Sequence, residues 1–241
     1  MRSRLALALL LALTLTAAAC GGDDDDAAGE DTEDVSGAED GDLVGLFKVE
    51  AGVCDATGPI TKGSSFRMIQ PDGKPGDGPY VPNGDSPCGD KTFSPILPGD
   101  AGGLITGEFQ PQVEPPFDEG GNGLASAMTK PTPFFAVTFA NATNEKDPQT
   151  GKTTSTPKIV NEGGKLSGDL SAFAAAWNKQ HFNQGAPKPG GDRPGLTSGP
   201  EGTYDEATGA YMLEWSSLIQ GGPFNNFTGV WHLEGTFEAK G

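Results

Sequence analysis

His232 and Glu234 stand two positions apart in a stretch that alternates apolar and polar residues. On an extended chain such side chains share a face, roughly 7 Å apart. An imidazole beside a carboxylate is a candidate acid–base pair, and equally the polar outer face of a half-buried strand. The only other histidine, His181, lies between Trp177 and Phe182, as a ligand contact or a loop-tip residue. Amides and aromatics gather around it. Trp177, His181, Asn183 and Gln184 lie close together, and Phe224-Asn225-Asn226-Phe227 repeats the mixture. Aromatic faces with side-chain amides suit a polar, uncharged ligand such as a glycan. Asn and Gln also hold irregular loops by bonding their own backbone while Trp fills the core.

Other chemistry is sparser. Asn83, Asp85 and Asp90, with Gly84 and Gly89 nearby, offer oxygen ligands of the kind calcium prefers. Their spacing matches no EF-hand, and turn chemistry accounts for the same residues. No glycine-rich phosphate loop, H-E-x-x-H or G-x-S-x-G motif occurs. Ser155-Thr156-Pro157-Lys158 fits S-x-x-K by letter, but Pro157 breaks the helical turn that motif needs. No cofactor is implied. The readings that remain are a binding module for a glycan or small polar ligand, an envelope enzyme using the His232–Glu234 pair, and a structural envelope protein.

The N-terminus sets the location. Arg2 and Arg4 precede an uncharged run from Leu5 to Ala19, which ends in Ala17-Ala18-Ala19 before Cys20. The run is shorter than the roughly 20 residues of a membrane-spanning helix. A positive start, a short apolar run and small residues before a cut describe a secretory signal over 1–19. Ala17-Ala18-Ala19-Cys20 resembles a bacterial lipobox, with Ala17 where Leu is usual. The resemblance implies that Cys20 is lipidated and holds the chain on the extracytoplasmic face of the cell membrane; ordinary signal cleavage is the alternative.

Three cysteines in an exported chain leave one without a partner. Lipid on Cys20 restores parity and lets Cys54 and Cys88 pair in an oxidising compartment. Two buried thiols are the alternative, and a metal site is disfavoured because no histidine lies near them.

From Asp23 to Asp42 there are eleven acids and no base among Ala, Gly and a few small residues. With no hydrophobic period to offset ordering entropy, residues 20–43 read as a disordered acidic tether. The whole chain carries 33 acids and 16 bases; without the two signal arginines and the eleven tether acids, 22 acids and 14 bases remain. An acidic domain is a poor partner for nucleic acid or anionic lipid. The expected partners are the membrane, through the covalent lipid, and a glycan or envelope protein.

These residues must be positioned by a domain over 44–241. Its 13 Phe and three Trp require a core, while 37 Gly and 20 Pro in the chain break it into short runs. Short runs between frequent turns predict an all-β antiparallel sandwich or barrel. Phe227 to Phe237 alternates, with Trp231, Leu233 and Phe237 on one face and His232 and Glu234 on the other. Tyr211, Leu213 and Trp215 share a face after a hairpin loop ending in Gly209. Phe135, Val137 and Phe139 read as one strand and Phe66 to Ile69 as a shorter one. Lys158 to Asn161 and Lys165 to Leu170 flank Glu162-Gly163-Gly164 as a hairpin. Ser171 to Gln180 reads as strand–turn–strand, with a short helix capped by Ser171 as the alternative.

The segments Gly168-Asp169-Leu170-Ser171-Ala172-Phe173, Trp177-Asn178 and Phe182-Asn183-Gln184-Gly185 carry a resemblance. So do Gly202-Thr203-Tyr204-Asp205, Gly221-Gly222-Pro223-Phe224-Asn225 and Trp231-His232-Leu233-Glu234-Gly235-Thr236-Phe237. Together, over about the last third of the chain, they resemble a group of exported bacterial β-rich proteins of unassigned function. The resemblance implies a secreted β domain and brings no catalytic residues. Some of that group carry C-terminal sorting segments; this sequence ends at Gly241 without one, which suits anchoring from the other end.

Overall fold

The computed structural model describes residues 40–241. The signal segment, Cys20 and the linker up to residue 39 lie outside the described residues. Those described contain no helix: the fold is all-β, a curled antiparallel sheet forming a half-barrel around a smaller second sheet.

The strand Thr228–Ala239 organises the large sheet. One edge pairs continuously with Ala210–Leu218, from Ala210 opposite Thr236 to Leu218 opposite Thr228. The other edge is shared: Ser65–Lys74 covers Thr228 to His232, and Gly45–Val49 covers Gly235 to Ala239. Between these two partners the backbone of Glu234 would be left unpaired. Its N–H donates to Ser64 Oγ at 3.0 Å and its carbonyl accepts from Glu50 N at 2.7 Å. The sheet continues outward through Ser198–Tyr204, Lys165–Asp169, Lys158–Glu162 and Gly41–Asp42, and on the far side ends at Gly103–Ile105.

Gly41 and Asp42 pair with Asn161 and Val160, and Leu43 is buried. The folded unit therefore begins before residue 44, and these residues belong to it rather than to the tether. Leu43 docks this end together with the pairing to residues 160–161, and Asp42 stays at the surface.

The second sheet, Thr132–Phe134, Val137–Thr143, Phe173–Trp177 and Gln180–Asn183, lies in the hollow of the first. Phe139 and Phe173 meet Trp231 at ring separations of 5.7 and 4.9 Å, and Trp231 stacks on its cross-strand partner Trp215 at 5.9 Å. Leu213, Trp215, Trp231 and Leu233 are each at most 1% exposed, so the inward face is the one that alternation predicts. Gly229 belongs to that face for a specific reason: a Cβ there would lie 2.2 Å from Gln184 Oε1. Its absence admits the Gln184 carboxamide, which accepts from Trp231 Nε1 at 3.3 Å.

The segment after Ser171 is strand–turn–strand. Phe173–Trp177 and Gln180–Asn183 are joined through Asn178 and Lys179, both with positive φ (47° and 59°), the turn that matches strand twist. Its alanines come from packing rather than helix propensity. A Cβ on Gly123, in the loop covering this sheet, would lie 2.5 Å from Ala176 O and 2.8 Å from Ala140 Cβ; larger side chains would push the loop away.

Phe135, Val137 and Phe139 do not form one strand. The chain reverses between Phe134 and Val137, with Phe135 and Ala136 at φ 52° and 67°. This turn lacks the Asn-Gly signature because it is held by its surroundings. Asp85 Oδ2 accepts from Ala136 N at 2.6 Å, and the Phe135 ring lies 5.3 Å from that of Phe224.

Candidate functional site

Alternation that sends Trp215 and Trp231 inward sends Glu214, His232 and Glu234 outward. Register places His232 directly opposite Glu214 on one side and Ser65 on the other. Its Nε2 lies 3.2 Å from Glu234 Oε2 and its Nδ1 3.5 Å from Glu214 Oε2. The predicted pair is therefore a three-membered cluster, closed by a carboxylate from the neighbouring strand. Hydrogen bonding to Glu214 foremost, and to Glu234, raises the His232 pKa above its ordinary value against the opposing effect of burial. Both ring nitrogens face acceptors, which favours the imidazolium, the form with two donors. Glu234 is held in turn by the backbone N–H of Gly63.

Arg67 sits one step along the sheet, opposite Val230. Its guanidinium lies between two rings, 3.2 Å from the Tyr80 centroid and 4.2 Å from that of Phe93. This cation–π sandwich covers both faces of the group. Nη2 donates to Thr92 Oγ1 at 3.3 Å, and Nε is buried without a hydrogen-bond partner. Burial lowers the Arg67 pKa, with Tyr80, Asp90 and Glu214 acting the other way.

Arg67, Glu214 and His232 border a cleft of about 220 Å³ on the outer face, which Ile60, Ser65, Tyr80 and Phe93 also line. That is below the roughly 300–1,000 Å³ of drug-sized ligand pockets, and suits one small polar unit. The wall segments are stapled by the Cys54–Cys88 disulfide, with Cα atoms 4.7 Å apart, and by Asp90 N donating to Gly58 O at 2.6 Å. Sequence reasoning brings His232 and Glu234 together, as the structure does, and does not bring Glu214, Arg67, Tyr80 and Phe93 to them. Phe66 to Ile69 reads as a strand, but nothing in the sequence shows that Tyr80, ending a short strand, and Phe93, in a loop, close over Arg67.

The amide–aromatic residues do not form one site. Trp177 and Gln184 line a small apolar cavity of about 40 Å³ between the sheets, together with Phe224 and Trp231. Trp177 Nε1 donates to Phe134 O at 2.7 Å. Asn183 is buried, donating to Ser171 O at 2.9 Å and accepting from Gly185 N at 3.1 Å. Asn225 Oδ1 accepts from Gly221 N at 2.7 Å, and Asn226 takes φ 70° in the same exposed turn. His181 stands on the edge strand with its ring 5.0 Å from Phe117; Nδ1 is buried without a hydrogen-bond partner, and burial lowers its pKa. These residues are divided between the core and separate loops, because strand alternation turns close sequence neighbours in opposite directions.

The calcium candidates serve turns. Asn83 Nδ2 donates to Ser94 Oγ and Pro133 O, both at 2.9 Å. Asp85 holds the Phe135–Ala136 turn, and Asp90 Oδ1 accepts from Thr92 N at 2.9 Å. Among the described residues no group of three or more His, Cys, Asp or Glu is placed to hold a metal ion. Lys158, of the S-x-x-K letters, lies on a strand and pairs with Asp42 at 2.9 Å. Comparison with family models, with curated proteins and with solved structures finds no match to this chain.

Proposed function

We propose that this chain is an exported binding protein, tethered through a lipidated Cys20, whose β domain holds a small polar ligand in the cleft at Glu214 and His232. A single sugar unit of a glycan is the chemistry that fits. The observation that carries the reading is the Glu214–His232–Glu234 cluster beneath an aromatic wall. Each carboxylate meets the imidazole through one oxygen, and the Glu214 side chain is 53% exposed, leaving an acceptor for a ligand hydroxyl. The walls of Tyr80 and Phe93 give an apolar surface for the less polar face of such a ligand.

The same arrangement weighs against general-base catalysis. A base needs a ring nitrogen free to take a proton, whereas here both nitrogens face carboxylate oxygens. Export is supported by the signal-like N-terminus.

Titration of the full chain with glucose and with N-acetylglucosamine, followed by isothermal calorimetry, tests the ligand class. Saturable binding to either, weakened at least about fivefold by Glu214→Gln, is expected for the loss of one charge-assisted hydrogen bond. No binding to either sugar would reject the ligand assignment. Cys20→Ser should move the protein from membrane to soluble fractions, and mass spectrometry showing an unmodified Cys20 at the mature N-terminus would remove the tether while leaving export intact.

A further inference from the structure

Lys188 occupies an unusual position for a lysine. It is 5% exposed, and its Nζ donates to Asn183 O and to Ser217 Oγ, each at 2.7 Å. A lysine beside a serine suggests a nucleophile and its base. Ser217, however, is fully buried and gives its own proton to Gly185 O at 2.8 Å, so no substrate reaches it. Among the described residues Lys188 makes no ion pair. The acid that acts on it at longer range, Asp147, has its carboxylate engaged by Thr150 N at 2.9 Å and by Asn183 Nδ2 at 3.2 Å. Burial pushes the Lys188 amine down to about 7, with Asp147 acting in the opposite direction. A buried ammonium without a contacting counter-charge is costly.

Lys188 borders a pocket of about 470 Å³ with Lys152, Arg193, Asp192, Asn183 and Gln220. Its ionisable lining is three basic groups and one acid, the reverse of a chain with 33 acids and 16 bases. Lys152 and Arg193 are exposed and, among the described residues, also lack ion pairs. Lys152 Nζ reaches Pro189 O at 3.4 Å and Arg193 Nη1 donates to Gly199 O at 2.8 Å, leaving further donors on both.

We propose that this pocket binds a phosphate group, either inorganic phosphate or the phosphate monoester of a larger ligand, through Lys152, Lys188 and Arg193. Once Lys188 is protonated, the basic groups exceed the lining acid by two charges, which matches a phosphate dianion. Arg193 supplies the planar fork of donors that phosphate recognition uses, and Lys152 a mobile point charge. The anion also provides the counter-charge that the buried Lys188 lacks, so binding draws a proton onto its amine. The proposal is independent of the sugar cleft, which lies among other residues.

Calorimetry on the full chain at about pH 8, in buffers of different ionisation heat, reads affinity and proton uptake together. Inorganic phosphate and vesicles bearing phosphatidic acid are the two probes, and acetate is the comparison anion. Binding of the first alone identifies a soluble ligand, and binding of the second alone a lipid headgroup; either supports the site. Arg193→Gln and Lys152→Gln should each weaken binding about tenfold or more, while Lys165→Gln, on a hairpin outside the pocket, should leave it unchanged. Lys188→Met should abolish the proton uptake; if that variant does not fold, the two surface variants still decide. Absence of binding to both probes, equal affinity for acetate, or affinity unchanged in Arg193→Gln and Lys152→Gln would overturn the proposal.

Discussion

Glu214 and Trp215 are adjacent in the chain, and their cross-strand partners His232 and Trp231 are adjacent too, yet the two pairs do opposite work. Inward, two stacked indoles and Phe173 fill the hollow of the half-barrel with rings about 5–6 Å apart. Outward, the Glu214 carboxylate and the His232 imidazole line an open cleft, with Glu234 behind the imidazole. The inner face excludes water and is held by apolar area and ring geometry. The outer face keeps polar groups half-solvated and depends on neighbours to hold them in place. One pair of strands thus separates what holds the domain together from what is available to bind.

The largest expected effect falls on the inner face. Trp231→Ala should destabilise the domain by about 3–5 kcal/mol, as large aromatic truncations in cores do, read as a lower denaturant midpoint. A small loss would mean that Trp231 lines an accessible cavity rather than a packed core, and the contrast between faces would fail.

The outer wall relies on a crosslink. Replacing both Cys54 and Cys88 by Ser should cost roughly 2–4 kcal/mol and should loosen the segments carrying Ile60 and Phe93. Hydrogen exchange should rise there before it rises in the strand Thr228–Ala239. Uniform exchange through both regions would show that the cover and the core unfold as one unit.

A smaller effect distinguishes His232 by its pH dependence. Its folded pKa is raised, first by Glu214 and then by Glu234. The stabilisation is therefore full below its unfolded value near 6.5 and is lost as pH rises through the folded pKa. The stability lost in His232→Gln should be larger at about pH 5.5 than at about pH 9, within the roughly 0.2–1 kcal/mol of partly exposed ion pairs. A difference independent of pH would mean that the carboxylates do not hold the imidazolium.

How far the sequence foretells this comparison depends on the distance over which each feature is built. Face assignment in the strand Thr228–Ala239 needs only alternation, and Trp231, Leu233, His232 and Glu234 fall as the residues suggest. The Cys54–Cys88 bond is the pairing that three cysteines leave if Cys20 is set aside for lipid. Glu214 joins His232 only through strand register, which no local pattern encodes. Arg67 acquires its role from Tyr80 and Phe93, 13 and 26 positions later, and Lys188 sits in a Lys-Pro-Gly-Gly stretch that reads as exposed loop. The reversal at Phe135 and Ala136 is hidden in the sequence for a related reason: their left-handed turn is held by Asp85 and Phe224, not by the glycine that usually marks one.

The most direct test is a paired measurement of sugar affinity and denaturant midpoint on Glu214→Gln and Trp215→Ala. Glu214→Gln should lose at least about fivefold in affinity with its midpoint essentially unchanged, and Trp215→Ala should lose about 3–5 kcal/mol of stability. If Glu214→Gln instead unfolds the domain while affinity is retained, or if Trp215→Ala leaves the midpoint in place, the division of labour between the two faces is wrong.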